Sequence, residues 1–554
     1  MVIEETLLTV ISNRMKRSER DLVILDRAAA QWRRHPWQEV HAMAERMATT
    51  LLDRSDGVPP TVGLVGDPTL PFVASLPATW MAGGKFSIAP GPVRGADSAR
   101  WAQATTDRFA DAGVSIVLSH GESLSLLRAV NREIPVNDID EITRYARRWL
   151  VPLACSADPL EVAILQSTAG STGVPQTVAI PERAVLANIY GLVDRFDLND
   201  TDIACSWLPL YHDMGLLVLL NCMVRDLEIW LAPPAAFTSA PFNWLTWISD
   251  SRATVTAAPN FAYNLVGRYS SRSPEVDLST LRIALNGGEP VDCEGFERFS
   301  KEMCRFGFDA SAATPAYGLA ESTCAVTAPV CGAGLRYDEI SATNGSSGVR
   351  GKHAILGVPI TGMEVRIRPT EAPTFECVQR EIGEVEIRGS SMMSGYLGSP
   401  SLQQDEWFPT GDLGYVTSDG LVVCGRIKEV IQLAGRNIFP SEIERVAATV
   451  KGVRAGAVVA TETHTAGRSG LAIVAEHRGA RPAVARERIV ERVAAECGVV
   501  AAVVELVDPG HLPRTTSGKL RRTDVRNWFQ SRRPAVSQDG QSIAVSAREP
   551  DRGS

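Results

Sequence analysis

Gln166-Ser-Thr-Ala-Gly-Ser-Thr-Gly-Val-Pro-Gln176 lies between two short apolar runs, Val162-Ala163-Ile164-Leu165 and Thr177-Val178-Ala179-Ile180, and reads as a loop joining two strands. Ser167, Thr168, Ser171 and Thr172 supply hydroxyls, while Gly170 and Gly173 give the backbone room to approach an anion. A kinase-type P-loop needs GxxxxGK(S/T) running into a helix, and this stretch has neither that spacing nor the lysine. Two readings stay open on the loop alone: a hydroxyl-rich clamp for a nucleotide triphosphate, or a plain Ser/Gly surface hairpin.

Around the loop, the composition is that of a soluble globular protein, 45% apolar and 22% charged. The chain's 554 residues are too many for one ordinary core. The richest apolar stretch, Met214 to Val224, contains about eleven residues, too few to span a bilayer. Glu4 and Glu5 stand where a secretory signal would be basic. The 10 cysteines show no CxxC or Cys/His spacing, which argues against structural zinc and a disulfide framework and for a reducing cytoplasm. The net charge of −8 is uneven: residues 427–554 hold 20 Lys/Arg against 14 Asp/Glu, or +6, leaving −14 for residues 1–426. That is either ordinary variation between domains or the mark of an acidic partner for the C-terminal part. Nucleic acid is a poor candidate, since no basic cluster is interleaved with aromatics.

Residues 1 to about 425 alternate strand-like and helix-like stretches, the pattern of a layered α/β domain. Val62–Val65, Val114–Leu118, Ala253–Ala258 and Leu281–Leu285 read as strands and Pro71–Met81 as a helix. From Gly357 to Arg388 the pattern is β-rich, with strands at Met363–Arg368 and Gly383–Arg388. A second, smaller α/β unit is expected over 426–529, with a helix opening near Ser441-Glu442-Ile443-Glu444, followed by a polar tail at 530–554 expected to be disordered. No internal repeat is present.

Four further segments offer chemistry, each with a plain structural alternative. Ser206-Trp-Leu-Pro-Leu-Tyr-His-Asp-Met-Gly215 puts His212 beside Asp213, although a buried, hydrogen-bonded histidine would look the same. Asn286-Gly-Gly-Glu-Pro290 ends a strand with glycines able to pass close to a flat ring. Tyr317-Gly-Leu-Ala-Glu321 offers an aromatic face and a carboxylate able to hold Mg²⁺. Thr410-Gly-Asp412 presents a carboxylate suited to paired ribose hydroxyls.

The order of these segments is the specific signal. Hydroxyl loop, YHDMG, NGGEP, YGLAE, TGD, Gly425-Arg426 and Pro513-Arg-Thr-Thr-Ser-Gly-Lys519 together resemble the adenylate-forming superfamily, over about residues 20–528. SWLPLYHDMGLL, Ala258-Pro-Asn-Phe-Ala-Tyr-Asn-Leu265, the NGGEP variant and Gly435-Arg-Asn-Ile-Phe-Pro440 resemble its fatty acyl-AMP ligase branch. The long gap between Glu321 and Gly357-Val-Pro359 fits the insertion typical of that branch, or a surface loop. LQSTAGSTG with Ile88-Ala-Pro-Gly-Pro-Val-Arg-Gly95 looks most like ligases serving mycobactin-type siderophore assembly.

The resemblance implies a large N-terminal adenylation domain of layered sheets and helices with a β-rich subdomain, and a small mobile C-terminal α/β domain. It implies ATP and Mg²⁺, a fatty acid substrate, and an acyl carrier protein whose phosphopantetheine thiol accepts the acyl group. By the same resemblance Thr168, Ser171, Thr172 and Gly173 hold the phosphates, with Thr172 counted among the catalytic residues, and Glu321 organises Mg²⁺. Tyr317 and Gly318 meet adenine, Gly288 and Glu289 border the base, and Asp412 and Arg426 hold the ribose. Lys519 serves the reacting carboxylate and α-phosphate, His212 lies near the acyl carboxylate, and Lys428 is the hinge. The superfamily loop usually ends Pro-Lys-Gly, whereas here it ends Pro175-Gln176-Thr177, which weakens the grip expected on pyrophosphate. Two alternatives remain: an acyl-CoA ligase, which shares every catalytic residue, and a degenerate adenylate-binding protein supported only by Gln176. Trp207, Leu216, Phe261 and Tyr263 are candidates for lining the acyl tunnel, or for simple packing.

Overall fold

The computed structural model describes residues 5–92, 97–130, 133–144, 161–168, 176–340, 351–369, 376–377, 380–403, 405–433, 436–465, 468–514 and 520–532. The chain divides into two units, Met1–Lys428 and Glu429–Ser554.

The first unit contains two seven-stranded sheets. One runs in the order Gly395–Tyr396, Gln176–Pro181, Val162–Thr168, Lys85–Ala89, Thr61–Val65, Ile116–Ser119, Val136–Asp138. The other runs Ala313–Pro315, Ile283–Asn286, Val255–Ala258, Ile203–Ser206, Glu228–Leu231, Asp21–Asp26, Gln31–Pro36. The strand Thr61–Val65 shows why layers form. Its side chains alternate, so Val62 and Leu64 enter one core while Val65 enters another and Gly63 lies against Phe109.

The central core joins Leu64, Phe86, Ile164 and Ile180 of one sheet to Leu22, Ile24, Ile229 and Ile283 of the other. Residues of the helices Trp37–Arg54, Leu70–Met81, Glu182–Phe196 and Asp213–Arg225 fill the space between them. Leu70–Met81 is buried continuously from Phe72 to Met81, as suits a helix that is apolar all round. The outer faces are covered by Asn243–Ser251, Asn260–Arg268 and Cys293–Met303 on one sheet, and by Ser98–Asp111 and Gly121–Val130 on the other. The expected layered α/β architecture is therefore present, with a four-stranded antiparallel sheet (Met363–Arg368, Gly383–Gly389, Phe408–Thr417, Gly420–Arg426) forming the β-rich part.

In the second unit, the strand Arg468–His477 lies between Val453–Thr465 and Ala501–Val507. Leu471, Ile473 and Ala475 face one core with the helices Pro440–Ala448 and Pro482–Cys497. Ala472 and Val474 face another core with Val525 and Phe529 of the helix Arg522–Ser531. That helix takes in Gln530 and Ser531, the start of the stretch expected to be disordered; residues 533–554 lie outside the described residues.

Three strand starts lie two residues later than the sequence reading, that expected from Leu281 beginning at Ile283. The strand expected from Ala253 begins at Val255, because the Ala253 N–H returns to the Ile248 carbonyl and closes the preceding helix. The strand expected from Val114 begins at Ile116, because the Val114 N–H likewise returns to Phe109. The insertion region shows Tyr337–Ile340 paired with Gly351–Ala354, and the residues between, 341–350, lie outside the described residues.

Candidate active site

The strands Ile203–Ser206, Val255–Ala258, Ile283–Asn286 and Ala313–Pro315 run parallel, so their carboxyl ends open on one side. Ligands of open α/β sheets bind outside such ends. From them the chain passes directly into His212, Asn260, Gly287 and Tyr317, which is how four segments distant in sequence meet.

The hairpin that opened the sequence reading forms as antiparallel strands paired from Val162↔Pro181 to Thr168↔Gln176. The Thr168 hydroxyl donates to the Gln176 carbonyl at 3.2 Å, closing the hairpin at its last described residues. Ser171, Thr172 and Gly173 lie outside the described residues, as does Lys519. The Gln166 carboxamide donates to the Tyr211 carbonyl at 2.7 Å and ties this hairpin to the YHDMG turn. His212 is the N-cap residue of the helix Asp213–Arg225, with its ring 5.0 Å from that of Tyr211.

Gly288 has φ +75°, a left-handed conformation natural to glycine, and follows the end of the strand Ile283–Asn286. Its neighbour Glu289 accepts a hydrogen bond from Phe261 N at 3.2 Å, in the first turn of the helix Asn260–Arg268. Glu289 is thus engaged as a helix-terminal carboxylate, favoured there by the unpaired N–H groups. At Gly318 a Cβ would lie 1.7 Å from the Cys324 carbonyl oxygen, so only glycine fits beside the strand Ala325–Ala328.

Tyr317, Asp412 and Arg426 converge. The Tyr317 hydroxyl donates to Asp412 Oδ2 at 2.7 Å, and Arg426 Nε lies 3.0 Å from Oδ1. Asp412 and Arg426 are cross-strand partners, beside a register shift at Leu413/Gly414 that re-aims the strand. The Asp412 N–H donates to the Thr410 hydroxyl at 3.1 Å, and that hydroxyl donates to the Val385 carbonyl at 2.8 Å. Burial raises the Asp412 carboxyl above its usual range, opposed by Arg426 and the Tyr317 hydrogen bond. Burial, followed by the Asp412 charge, holds the Tyr317 phenol well above its usual range. The result is a buried carboxylate fixed in orientation, able to accept from a pair of vicinal hydroxyls.

Glu321 sits on the short turn Ala320–Ser322, where its Oε1 accepts from the Tyr396 hydroxyl at 2.7 Å. Burial, and then Glu321, push the Tyr396 phenol above its usual range. The Gly395–Tyr396 strand reaches this place by pairing with Ala179 and Val178 of the hairpin. Among the described residues no group of three His, Cys, Asp or Glu side chains forms a metal cage. A single oriented carboxylate does fit a Mg²⁺ ion held mainly by substrate phosphates, the usual manner of Mg²⁺ in nucleotide sites. Lys428 is the last residue of the first unit, on the turn Ile427–Glu429.

Sequence reasoning missed Tyr396, and it quoted Thr410 and Gln166 within their motifs without giving either a role, because their partners are distant in the chain or are backbone atoms. Of the two readings left open for the tunnel candidates, packing is the one their contacts match. A cavity of about 110 Å³ is lined at one end by Gly287, Gly288, Tyr317 and Gly318 and at the other by Phe196, Leu198 and Asp202, with Met214, Leu217, Val218 and Asn221 along it. The four tunnel candidates do not line it. Trp207 stacks on Phe237 at 3.6 Å, Tyr263 is fully buried with its hydroxyl on the Leu285 carbonyl, and Phe261 packs edge-on to Trp207. Leu216 is buried in the central core. On the helix Asp213–Arg225, Leu217 and Val218 line the cavity instead. At the end away from Gly287 and Gly288 stands Asp202, ion-paired to Arg282, which also donates to the Phe196 and Asp197 carbonyls.

Comparison with known proteins agrees with this geometry. The AMP-binding enzyme family matches residues 12–397. The protein Rv1013 of Mycobacterium tuberculosis (strain H37Rv) is 34% identical over 517 residues, 89% of this chain and 94% of that protein. The long-chain-fatty-acid–AMP ligase FadD26 of the same organism is 30% identical over 411 residues, 67% of this chain and 70% of that ligase. Among solved structures, one from a study of fatty acyl-adenylate ligases of E. coli and L. pneumophila superposes with a TM-score of 0.85 at 29% identity, covering 95% of this chain and 98% of that one. The chain belongs to the AMP-binding enzymes of the adenylate-forming superfamily, and it is an AMP-forming ligase.

Proposed function

We propose that this ligase activates a medium- or long-chain fatty acid and loads it onto an acyl carrier protein, for lipidation of a mycobactin-type siderophore. The carrying observation is the apolar cavity, which opens beside the same glycines and Tyr317 that border the nucleotide cluster. A carboxylate at that mouth would stand next to the phosphates while its alkyl chain fills the cavity. In the first step a carboxylate oxygen attacks the α-phosphorus of ATP. The bond to the bridging oxygen breaks, and pyrophosphate leaves. In the second, a phosphopantetheine thiol adds to the acyl carbonyl, loses its proton, and expels AMP.

The protein's part is positioning and charge neutralisation. Asp412 holds the ribose hydroxyls, kept in orientation by Tyr317 and Arg426. Glu321, oriented by Tyr396, would hold Mg²⁺, which neutralises phosphate charge. Ser171, Thr172 and Gly173 clamp the phosphates and His212 steadies the acyl carboxylate. Lys519 neutralises charge developing between carboxylate and α-phosphate, and Lys428 is the hinge that withdraws it before thiol attack. Losing Lys519 would lower the adenylation rate about 10²- to 10³-fold.

Fatty-acid-dependent ATP–pyrophosphate exchange tests the first step, and its absence with every chain length would defeat the reading. Acylation of a phosphopantetheinylated carrier, but not of CoA, tests the second. The +6 balance of residues 427–554 supports an acidic carrier. Transfer should therefore slow as salt rises, and a rate indifferent to salt would count against that electrostatic docking.

A further inference from the structure

The cavity is largely apolar, and three strongly polar side chains stand in its walls: Asp202, Asp213, which accepts from the Met214 N–H, and Asn221. The helix Asp213–Arg225 turns one face to it: Met214, Leu217, Val218, Asn221 and Cys222 follow the spacing of a single helix stripe. Asn221 is 8% exposed, and its carboxamide oxygen has no hydrogen-bond partner among the described residues. Such an orphan carries a desolvation penalty that an aliphatic residue of similar size would avoid. The other polar wall residue at depth, Asp202, is differently placed, since its oxygens are taken by Arg282, Thr254 and the Asn199 N–H.

Position along the helix fixes depth. Met214 Sδ lies 3.8 Å from where a Cβ on Gly287 would be, at the mouth. Asn221 comes two turns later, about 10 Å further in at 1.5 Å per residue. A hydroxyl suits an amide in either of its two orientations, because it both donates and accepts.

Resting on the fatty acid reading above, we propose that Asn221 makes this ligase selective for acyl chains carrying a hydroxyl group about 10 Å inside the cavity mouth. The bound hydroxyl would satisfy the orphaned amide, whereas a plain alkyl chain leaves it buried and unpaired.

The test is acid-dependent ATP–pyrophosphate exchange with the full-length protein and a matched series of medium-chain fatty acids. The series includes unsubstituted acids and acids bearing one hydroxyl at successive carbons from mid-chain to the methyl end. At one position the hydroxy acid should exceed its unsubstituted counterpart in kcat/KM by about tenfold, the worth of one hydrogen bond in a dry site. Asn221→Leu should abolish that preference, so that each hydroxy acid falls to or below its unsubstituted counterpart, and should melt no lower than wild type. If Asn221→Leu does not fold, Asn221→Ala reads out the same preference.

No hydroxy acid surpassing its counterpart, or a preference that survives both substitutions, overturns the inference while leaving fatty acid activation intact. A lower melting temperature for Asn221→Leu with preference unchanged would make Asn221 a structural residue. Exchange with no acid at all would instead bring down the fatty acid reading beneath it.

Discussion

Asp412 is held between two opposed demands. Burial favours its protonated form, and Arg426 and Tyr317 favour its carboxylate. With its carboxyl raised in the folded protein, the stability it contributes is full below its ordinary value of 3.8 and is lost as pH rises through the folded value. At neutral pH the charged group is therefore retained at a cost to stability, as the ribose-binding role proposed for it requires. Asp412→Asn should melt at or above the wild-type temperature near neutral pH while binding AMP at least tenfold more weakly, since hydrogen bonds to charged groups are the stronger ones. Calorimetric titration with AMP beside a thermal melt checks both halves, and a lower melting temperature with unchanged affinity would refute the assignment. Asp412 could be read from its Thr-Gly-Asp setting. Tyr396 could not, because what gives it meaning is a contact with Glu321, 75 positions earlier in the chain.

Two short elements carry consequences of their own. The strand Tyr317–Gly318 can lie where it does only because Gly318 has no side chain, so Gly318→Ala must push backbone against the Cys324 carbonyl. It should lose about 1–3 kcal/mol of stability by overpacking. Exchange activity should fall further than stability, because Tyr317 and Glu321 flank the displaced backbone. The helix Glu182–Phe196 begins with a buried glutamate that accepts from Leu7 N at 3.0 Å and so fastens the helix Leu7–Arg17. Burial pushes Glu182 from its ordinary 4.5 to about 7. Its stabilisation is therefore full below 4.5 and lost as pH rises through about 7. Glu182→Gln keeps an acceptor for Leu7 and should be more stable than wild type near pH 8 by about 1–3 kcal/mol, with the difference gone near pH 4. Urea unfolding across that range measures it. The sequence announced elements such as the largely apolar Leu70–Met81 and the alternating Met363–Arg368, because their burial pattern is local. It was silent on Asp21–Asp26, whose partner Glu228–Leu231 lies two hundred residues on, and on the hairpin's pairing with Gly395–Tyr396. Such pairings are decided by tertiary packing, which no local pattern encodes.

At the scale of the whole chain, the two units have separate hydrophobic cores. The first is built on two seven-stranded sheets, and the second encloses its three-stranded sheet between helices of its own. Cores that share no residues need not melt together. Scanning calorimetry is expected to resolve two transitions, of which AMP raises only the larger, because the Tyr317–Asp412–Arg426 cluster proposed to hold the ribose lies wholly within the first unit. A single transition shifted as one would show that the units unfold cooperatively. The order of motifs made the reaction class readable from sequence, whereas the pocket was not readable, since wall and core are lined by the same kinds of side chain. If the acyl chain fills that cavity as proposed, the Asp202–Arg282 ion pair in its wall, away from Gly287 and Gly288, makes it a gauge with a hard stop. An apolar floor yields by repacking, so specificity constants would decline gently with each added methylene. A terminal methyl driven against the buried Asp202 carboxylate has to desolvate it or part it from Arg282, whose side chain is still 29% exposed, a penalty that sets in within one or two carbons. Plotted against acyl length, the logarithm of kcat/KM should climb steadily and then break in a cliff, and replacing Asp202 and Arg282 together with leucine and methionine should turn that cliff into a slope.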